Sequence, residues 1–529
     1  MRKKMKKISY GMLAGVMCAS LLGGCGGSSS GNVSSASDGS TGTVSSGKSA
    51  EDGVTVTYAG NQPVETLDRY NQYDVADFTL DLLWGDALVE ADHMGNYEPW
   101  LAEDIQLADD NLSVTFKLKE GVKFQNGQDF TSYDVKRTFE RFLEEPDLML
   151  GTKWSMYVDH VETPDDYTAV LYFSQAMPTL YSELSLLPII DGETYDEEKE
   201  DYFKIPVGTG PFEVKEYDNT TQVVKMSRND DWWGWTDDNK SNVDTLIYQA
   251  VSEDTTRVSS LRAGELDLID MVPLDNIDVL NKEGFVTDTY DSNMFVFMGV
   301  SCADGKTFAN KDLREALSLS IDRQLIIDSI LGGGKAATWP SFEGHSTYEE
   351  GYSYDYDLDK AKELVEKSGY DGTELTILMN SAKMTRGTEV AQAIQSMLTD
   401  AGFNVVIETL ENATYNEKRN AGEYDICLGT TTYTCGDFYI PAIEVNALDT
   451  FNTGYKNDEL TNLGEEAKKL VDTQERVDNA KEIFEIVMEE KAPNIFLYQI
   501  ENCVANVSDV SNVTVFGDNV LDLRYVTKK

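Results

Sequence analysis

The stretch EVAQAIQSMLTDAGFNVVIETLENATYNEKRNAGEYDICLGT, residues 389–430, reads helix, glycine, strand, helix, glycine, strand. That order commits the chain to an α/β layer, with a right-handed crossover expected where its strands are parallel. The same alternation runs from residue 53 to the end. VTVTYAG (54–60) has period two, ADFTLDLLWGDALVE (76–90) has helical spacing, and LSVTFKLKEG (112–121) alternates again before a glycine turn. NKDLREALSLSIDRQLIIDSILGGG (310–334) predicts one long helix, capped by Asn310 or Asp312 and stopped by glycine, with Leu313, Leu317, Ile321 and Leu325 facing inward. YDLDKAKELVEKSGYDG (356–372) predicts a shorter one, capped by Asp357, buried through Ala361, Leu364 and Val365, and ended by Gly369. No repeat of 20 to 50 residues is visible, which argues against a solenoid.

The first residues obey a different logic. MRKKMKK carries five positive charges, and the apolar run from Ile8 to Leu22 is shorter than the roughly 20 residues of a membrane-spanning helix. Residues 1–24 therefore read as a signal peptide. Its end, Leu22-Gly23-Gly24-Cys25, resembles the lipobox of bacterial lipoproteins, which implies lipid attachment at Cys25. Residues 25–52 are mostly Gly, Ser, Thr and Asn, a composition that buries no core. Such a linker reaches on the order of 30 Å by the scaling for Gly/Ser coils. It would hold the rest of the chain at the extracytoplasmic face of a bacterial membrane, tethered and free to turn.

The whole chain has 44 basic against 93 acidic residues and a formal charge of -49. A basic stripe that could neutralise phosphates is absent, so nucleic acid is not a partner. Past Cys25 only Cys302, Cys427, Cys435 and Cys503 remain, too few and too dispersed for a disulfide scaffold, although one pair could form outside the cell. No C-x-x-C occurs and His93, His160 and His345 are isolated in sequence, so no metal and no cofactor is expected.

Candidate catalytic motifs fail on inspection. GGGKA (332–336) has Ser329 and Ala336 where a phosphate loop needs glycine and a hydroxyl, so it reads as a helix stop. DYDLDKAKELVE (355–366) puts acids at calcium-loop positions but Lys360 where the turn glycine belongs. GTGPF (208–212) leads into a strand rather than a helix N-terminus. Neither G-x-S-x-G nor H-E-x-x-H is present, and with so many acids a pair of carboxylates carries no information. DWWGW (231–235) is read as packing at a strand end before it is read as a stacking platform. An enzyme is not expected.

Longer strings line up with a known family. NYEPWLAEDIQLADDNLSVTFKLKEGVKFQNGQDFTSYDVKRTFERF (96–142) resembles the signature of the family 5 extracellular solute-binding proteins, the receptors of dipeptide and oligopeptide ABC importers. Further similar blocks follow in order: Val207 to Phe212, Arg228-Asn229 with Trp232-Trp233, Asp312 to Leu317 with Ile321 to Arg323, Ala401 to Val405, and AxxIFLY at 492–498. The resemblance implies a two-lobed periplasmic-binding-protein-like α/β fold of type II. Lobe one would comprise 53–290 plus 499–529, with an extra subdomain near 81–204, and lobe two 291–498. It implies a monomer that closes on a peptide by hinge motion and delivers it to an ABC permease.

Within TTTYTCGDFYIP (430–441) the resemblance implies that Asp437 receives the peptide's α-ammonium, with Tyr433, Cys435 and Gly436 beside it. The family's tryptophan is missing here, and one acid stands where many relatives carry two. Gly60, Asn61 and the Thr66-Leu67-Asp68 segment match a region that lines the family's cleft, which makes Asn61 and Leu67 candidates as well. Other cargo of this family, such as a nickel chelate, haem, an oligosaccharide or a modified amino acid, is the first rival. A secreted hydrolase or glycan-active enzyme using paired carboxylates is the second, and a receptor for a peptide signal the third.

Overall fold

The computed structural model describes residues 53–72, 75–380, 384–471 and 473–529. The signal peptide, Cys25 and the linker lie outside the described residues.

One mixed sheet runs through this part of the chain. From one edge its strands are Val405–Thr409, Leu375–Met379, Ile426–Thr432, Val286–Val300, Asn494–Asn506, Leu268–Ile269, Thr55–Gly60, Thr245–Ala250, Val223–Arg228 and Phe212–Asp218. The two long strands at its middle organise everything else. Residues 286–291 pair antiparallel with 501–506, and 295–299 pair with 494–499, with a break in register between Asp291 and Phe295. The neighbours differ on the two sides of that break. Before it, Leu268–Ile269 pairs with the end of Asn494–Asn506, then with Thr55–Gly60. After it, Ile426–Thr432 lies antiparallel against residues 294–300. The same two strands thus serve two lobes, and the bulged step at Ser292–Met294 is the bend between them.

The sequence of these strands explains their asymmetry. MFVFMGV, the second half of Val286–Val300, is almost wholly buried, as a strand covered on both faces must be, whereas TDTYDS before it is largely exposed. In lobe two, Leu375–Met379 is parallel to both Val405–Thr409 and Ile426–Thr432, so the two strands of the opening stretch are parallel with a strand from outside it between them. The helix Gly387–Ala401 turns Val390, Ala391, Ile394 and Leu398 inward and stops at Gly402, whose φ of 102° suits glycine.

The helix expected over 310–334 is two helices. Lys311–Leu319, capped by Asn310, ends where the Ser320 hydroxyl donates back to the Ala316 carbonyl. Asp322 then caps a second segment, Arg323–Ile326 continuing to Leu331, by accepting from the Leu325 amide. Ser and Asp side chains that bond local backbone compete with helix continuation, and Leu325 ends up exposed rather than inward. Leu358–Ser368 follows the expectation, with Asp357 as cap and Gly369 in the left-handed region.

An additional four-stranded antiparallel sheet, in the order Ala102–Leu107, Ser113–Leu118, Thr168–Phe173, Val158–Asp165, has its own core. The helix Ser132–Glu144 covers it, started by a capping box between Thr131 and Asp134. Phe139 and Phe142 clasp the fully buried Trp154 at 5.1 and 5.7 Å. Beside this core the Asp86 carboxylate accepts from the indoles of Trp100, Trp232 and Trp233 at 2.8, 3.1 and 2.9 Å and from the Thr209 hydroxyl. DWWGW is therefore a corner of packing, and the GTGPF glycines are there to let the backbone pass Trp84. Cys302, Cys427, Cys435 and Cys503 are all buried free thiols. Among the described residues no helix is long and apolar enough to cross a membrane.

Candidate functional site

Where the lobes face each other beside the long strands, a cavity of about 510 Å³ opens. Asn61, Met271 and Leu274 line it from lobe one, Leu331, Met384 and Arg386 from lobe two, and Met294, Tyr498 and Glu501 from the crossing strands. Its volume falls in the roughly 300–1,000 Å³ range of sites that enclose small solutes. The walls mix thioether and aromatic surface with carboxylates and one guanidinium. Glu501 accepts from the Gly334 amide at 3.2 Å, and Arg386 donates to the Ile330 carbonyl at 2.5 Å. Behind the wall, Asp270 accepts from Tyr58 Oη at 2.9 Å. Burial pushes the Asp270 carboxyl up to about 6, against the opposing pull of Arg257.

A second meeting of the lobes is tighter. Gly436 packs so closely on lobe one that a Cβ there would sit 2.1 Å from the Gly95 nitrogen, and both glycines have positive φ. Tyr97 Oη donates to the Cys435 carbonyl at 3.2 Å, and Asn293, from the bend, donates to the His93 carbonyl at 2.8 Å. His345 holds the same turn. Its Nε2 donates to the Gly436 carbonyl at 2.7 Å while Nδ1 faces Thr347, and burial lowers its affinity for a second proton.

Asp437 lies just past this turn. Its oxygens are both 3.2 Å from Arg476 Nη2, while Ser182 Oγ donates at 3.0 Å and the Tyr439 amide at 2.7 Å. Around it stand Glu183, paired with Lys153, and the half-buried Glu444. Burial raises the Glu444 carboxyl, with Lys153 opposing and Asp437 and Glu183 adding to the shift. For Lys153, burial works against the charged form, but Glu183 and the other nearby acids outweigh it, so its affinity for a proton is raised. Three carboxylates thus share two cations, and the cluster is one positive charge short.

The six ligand candidates separate in space. Asn61 borders the cavity. Asp437 belongs to the charged cluster, and Cys435 and Gly436 form the turn pressed onto lobe one. Tyr433 is fully buried in the lobe-two core with its hydroxyl donating to the Pro340 carbonyl at 2.5 Å, so it is a packing residue. Leu67 is likewise a core residue of lobe one, because the chain after Asn61 turns inward through Val64 and Leu67. Arg476, Glu444 and the cavity residues Met384, Arg386 and Glu501 carried no signal in sequence. Met384, Arg386 and Arg476 fall outside the recognisable blocks, Glu444 and Glu501 stand three positions past the ends of two of them, and the roles of all five arise only when the lobes meet.

The description "Bacterial extracellular solute-binding proteins, family 5 Middle" matches residues 96–442. The oligopeptide-binding protein AppA of Bacillus subtilis (strain 168) is 26% identical over 540 residues, 95% of each chain. The probable D,D-dipeptide-binding periplasmic protein DdpA of Escherichia coli (strain K12) is 28% identical over 460 residues, covering 82% of this chain and 86% of its own. Among solved structures, HbpA2 from Haemophilus parasuis superposes with a TM-score of 0.79 at 22% identity, over 90% of this chain and all of that one.

Proposed function

Since the chain belongs to the bacterial extracellular solute-binding proteins of family 5, we propose that it is the substrate-binding component of an ABC importer, that its cargo is a peptide, and that it hands this to a membrane permease. The observation that carries the reading is the cavity walled by both lobes beside two strands that cross between them, with the break in register at Ser292–Met294 as the hinge the reading requires. Names of relatives that bind oligopeptides and dipeptides favour peptide cargo. A cavity of about 510 Å³ suits a short peptide better than a long one.

We assign the ligand's α-ammonium to Asp437, which lies between the lobes beside the Gly436 turn and not in the wall of the cavity, so a peptide that reaches it extends beyond the cavity. A cluster of Asp437, Glu183 and Glu444 that is short of one positive charge favours a cation, and a charge-assisted hydrogen bond in a desolvated site discriminates for a free amine. In this closed arrangement the Arg476 guanidinium occupies the carboxylate and must swing away or share it. We place the lobes at 53–290 plus 499–529 and at 291–498, with the extra subdomain at 81–204, and we take the protein to act as a monomer. Cys25 is assigned as the lipid attachment point that keeps it, after removal of residues 1–24, on the extracytoplasmic face of the bacterial membrane.

The test is native mass spectrometry of the protein as purified, then after unfolding, refolding and challenge with a mixed peptide pool. Retained short peptides support the reading. A discrete non-peptide mass in their place leaves the importer role and removes the peptide.

A further inference from the structure

We propose that His93, Cys435 and Asp518 form a binding site for one divalent transition-metal cation of the zinc class. Three segments far apart in sequence bring together an imidazole, a thiol and a carboxylate, all buried, with their donor atoms within 4.8 Å of one another. His93 Nδ1 is 2.8 Å from each Asp518 oxygen, and the Cys435 amide donates to Asp518 Oδ2 at 2.8 Å. This N, S and O donor set is the one that borderline cations select, whereas calcium and magnesium require oxygen alone.

Three further features describe a built site. His93 and Cys435 both adopt left-handed backbone, with φ of 59° and 50°, a conformation that costs a non-glycine residue free energy and persists only where the surroundings enforce it. The surroundings are explicit here. The His93 ring stacks on Phe516 at 3.8 Å, its carbonyl is held by Asn293, and the Gly436–Gly95 approach presses Cys435 into place. A cavity of about 40 Å³, bordered by His93, Cys435, Ser185 and Phe516, adjoins the trio. That exceeds the ~10–15 Å³ a water needs, so a fourth ligand has room. Three protein ligands and a water are what an open zinc site uses.

Charge balance favours the same occupant. Of the other charges bordering this pocket or lying close to it, Arg69 pairs with Asp81 and Arg524 with Asp522 and Glu90, while Asp86 is held by neutral indole and hydroxyl donors alone. A dication bound to the Cys435 thiolate, the Asp518 carboxylate and neutral His93 forms a centre with no net charge of its own. Binding releases the thiol proton to solvent, and where His93 Nδ1 becomes the ligand the proton it shares with Asp518 leaves that nitrogen and the neutral ring carries its one proton on Nε2. Because Cys435 comes from lobe two and the other two ligands from lobe one, the metal would bridge the closed lobes. None of the three ligands lines the cavity of about 510 Å³, although Cys435 is two residues from Asp437; the cobalt band reports the metal directly, so its failure and the failure of the peptide reading are distinguishable.

The experiment is a Co²⁺ titration of the full chain after chelator treatment, read by absorption. The expected result is a thiolate-to-cobalt charge-transfer band saturating at one equivalent, displaced by Zn²⁺ and absent in Cys435→Ser. Asp518→Asn retains the thiol and should keep the band while weakening affinity by at least the roughly 10- to 100-fold that loss of a ligand's hydrogen-bond partner costs. Near-ultraviolet circular dichroism checks that the variants are folded, and His93→Gln serves if Cys435→Ser is not. No thiolate band in the wild type, a band that survives Cys435→Ser, or unchanged affinity in Asp518→Asn would each overturn the assignment.

Discussion

Arg476 Nη2 lies 3.2 Å from both carboxylate oxygens of Asp437, and neither side chain is more than a tenth exposed. The pair stands in a cluster whose acids outnumber its bases, so Asp437→Asn should weaken binding of a free-amine peptide more than it weakens the fold. Loss of one charge-assisted hydrogen bond, about 1.5–3 kcal/mol, corresponds to roughly a 10- to 100-fold rise in Kd. N-acetylation of the peptide should cause a similar loss in the wild type and little more in the variant. Calorimetric titration of both peptides against both proteins checks this, and additive losses would rule Asp437 out as the anchor.

Gly436→Ala places a methyl group 2.1 Å from the Gly95 nitrogen at a position with φ of +72°. Nothing flexible stands there to give way, so the variant should hold the lobes apart. The expected signature is a larger radius of gyration by small-angle X-ray scattering, with ligand affinity reduced at least about tenfold, since the closed state is the competent one. A variant as compact as the wild type would mean that the contact yields.

Asp86 satisfies three indole N–H groups and one hydroxyl. Asp86→Ala strands them in a poorly hydrated corner, at about 1–3 kcal/mol for each donor left without a partner. Asp86→Asn keeps one acceptor oxygen and should cost less. Chemical denaturation should rank wild type, Asn and Ala in that order of stability.

Asp270 titrates near 6 in the folded protein, against about 3.9 when exposed. Its folded pKa is raised by burial, so the folded state holds a proton that the unfolded chain has released. This carboxyl therefore contributes most below about pH 4, and its contribution falls as pH rises to about 6, by no more than roughly 1.4 kcal/mol per unit. Asp270→Asn cannot titrate there. The stability difference between variant and wild type, measured from about pH 4 to 7, should shift in favour of the variant and level off above the folded pKa.

Local rules carried the sequence a long way. Asp357 and Gly369 bracket their helix as written, and the 389–430 stretch becomes the parallel layer it spells. Where Ser320 and Asp322 interrupt 310–334, the cause is still local, but an apolar period that continues through them hides it. The site is another matter. Arg476 is 39 positions from Asp437, and Asp518 is 425 from His93, so no spacing relates them. Three histidines isolated in the chain give no sign that the fold sets His93 beside a thiol and a carboxylate. Leu67 and Tyr433 mark the reverse error, since a segment near a cleft turns some of its side chains into the core.

The two crossing strands have a consequence for how the molecule comes into being. Leu268–Ile269 lies between Thr55–Gly60 and Asn494–Asn506, so the sheet of the first lobe stays open until the last tenth of the chain has been made. A chain growing from its N-terminus cannot complete that lobe early, and the long loop closures involved make such pairing slow. The first lobe therefore stays incomplete for as long as the chain is being synthesised, even where the sheet of residues 102–173, whose strands are contiguous in sequence, can form early.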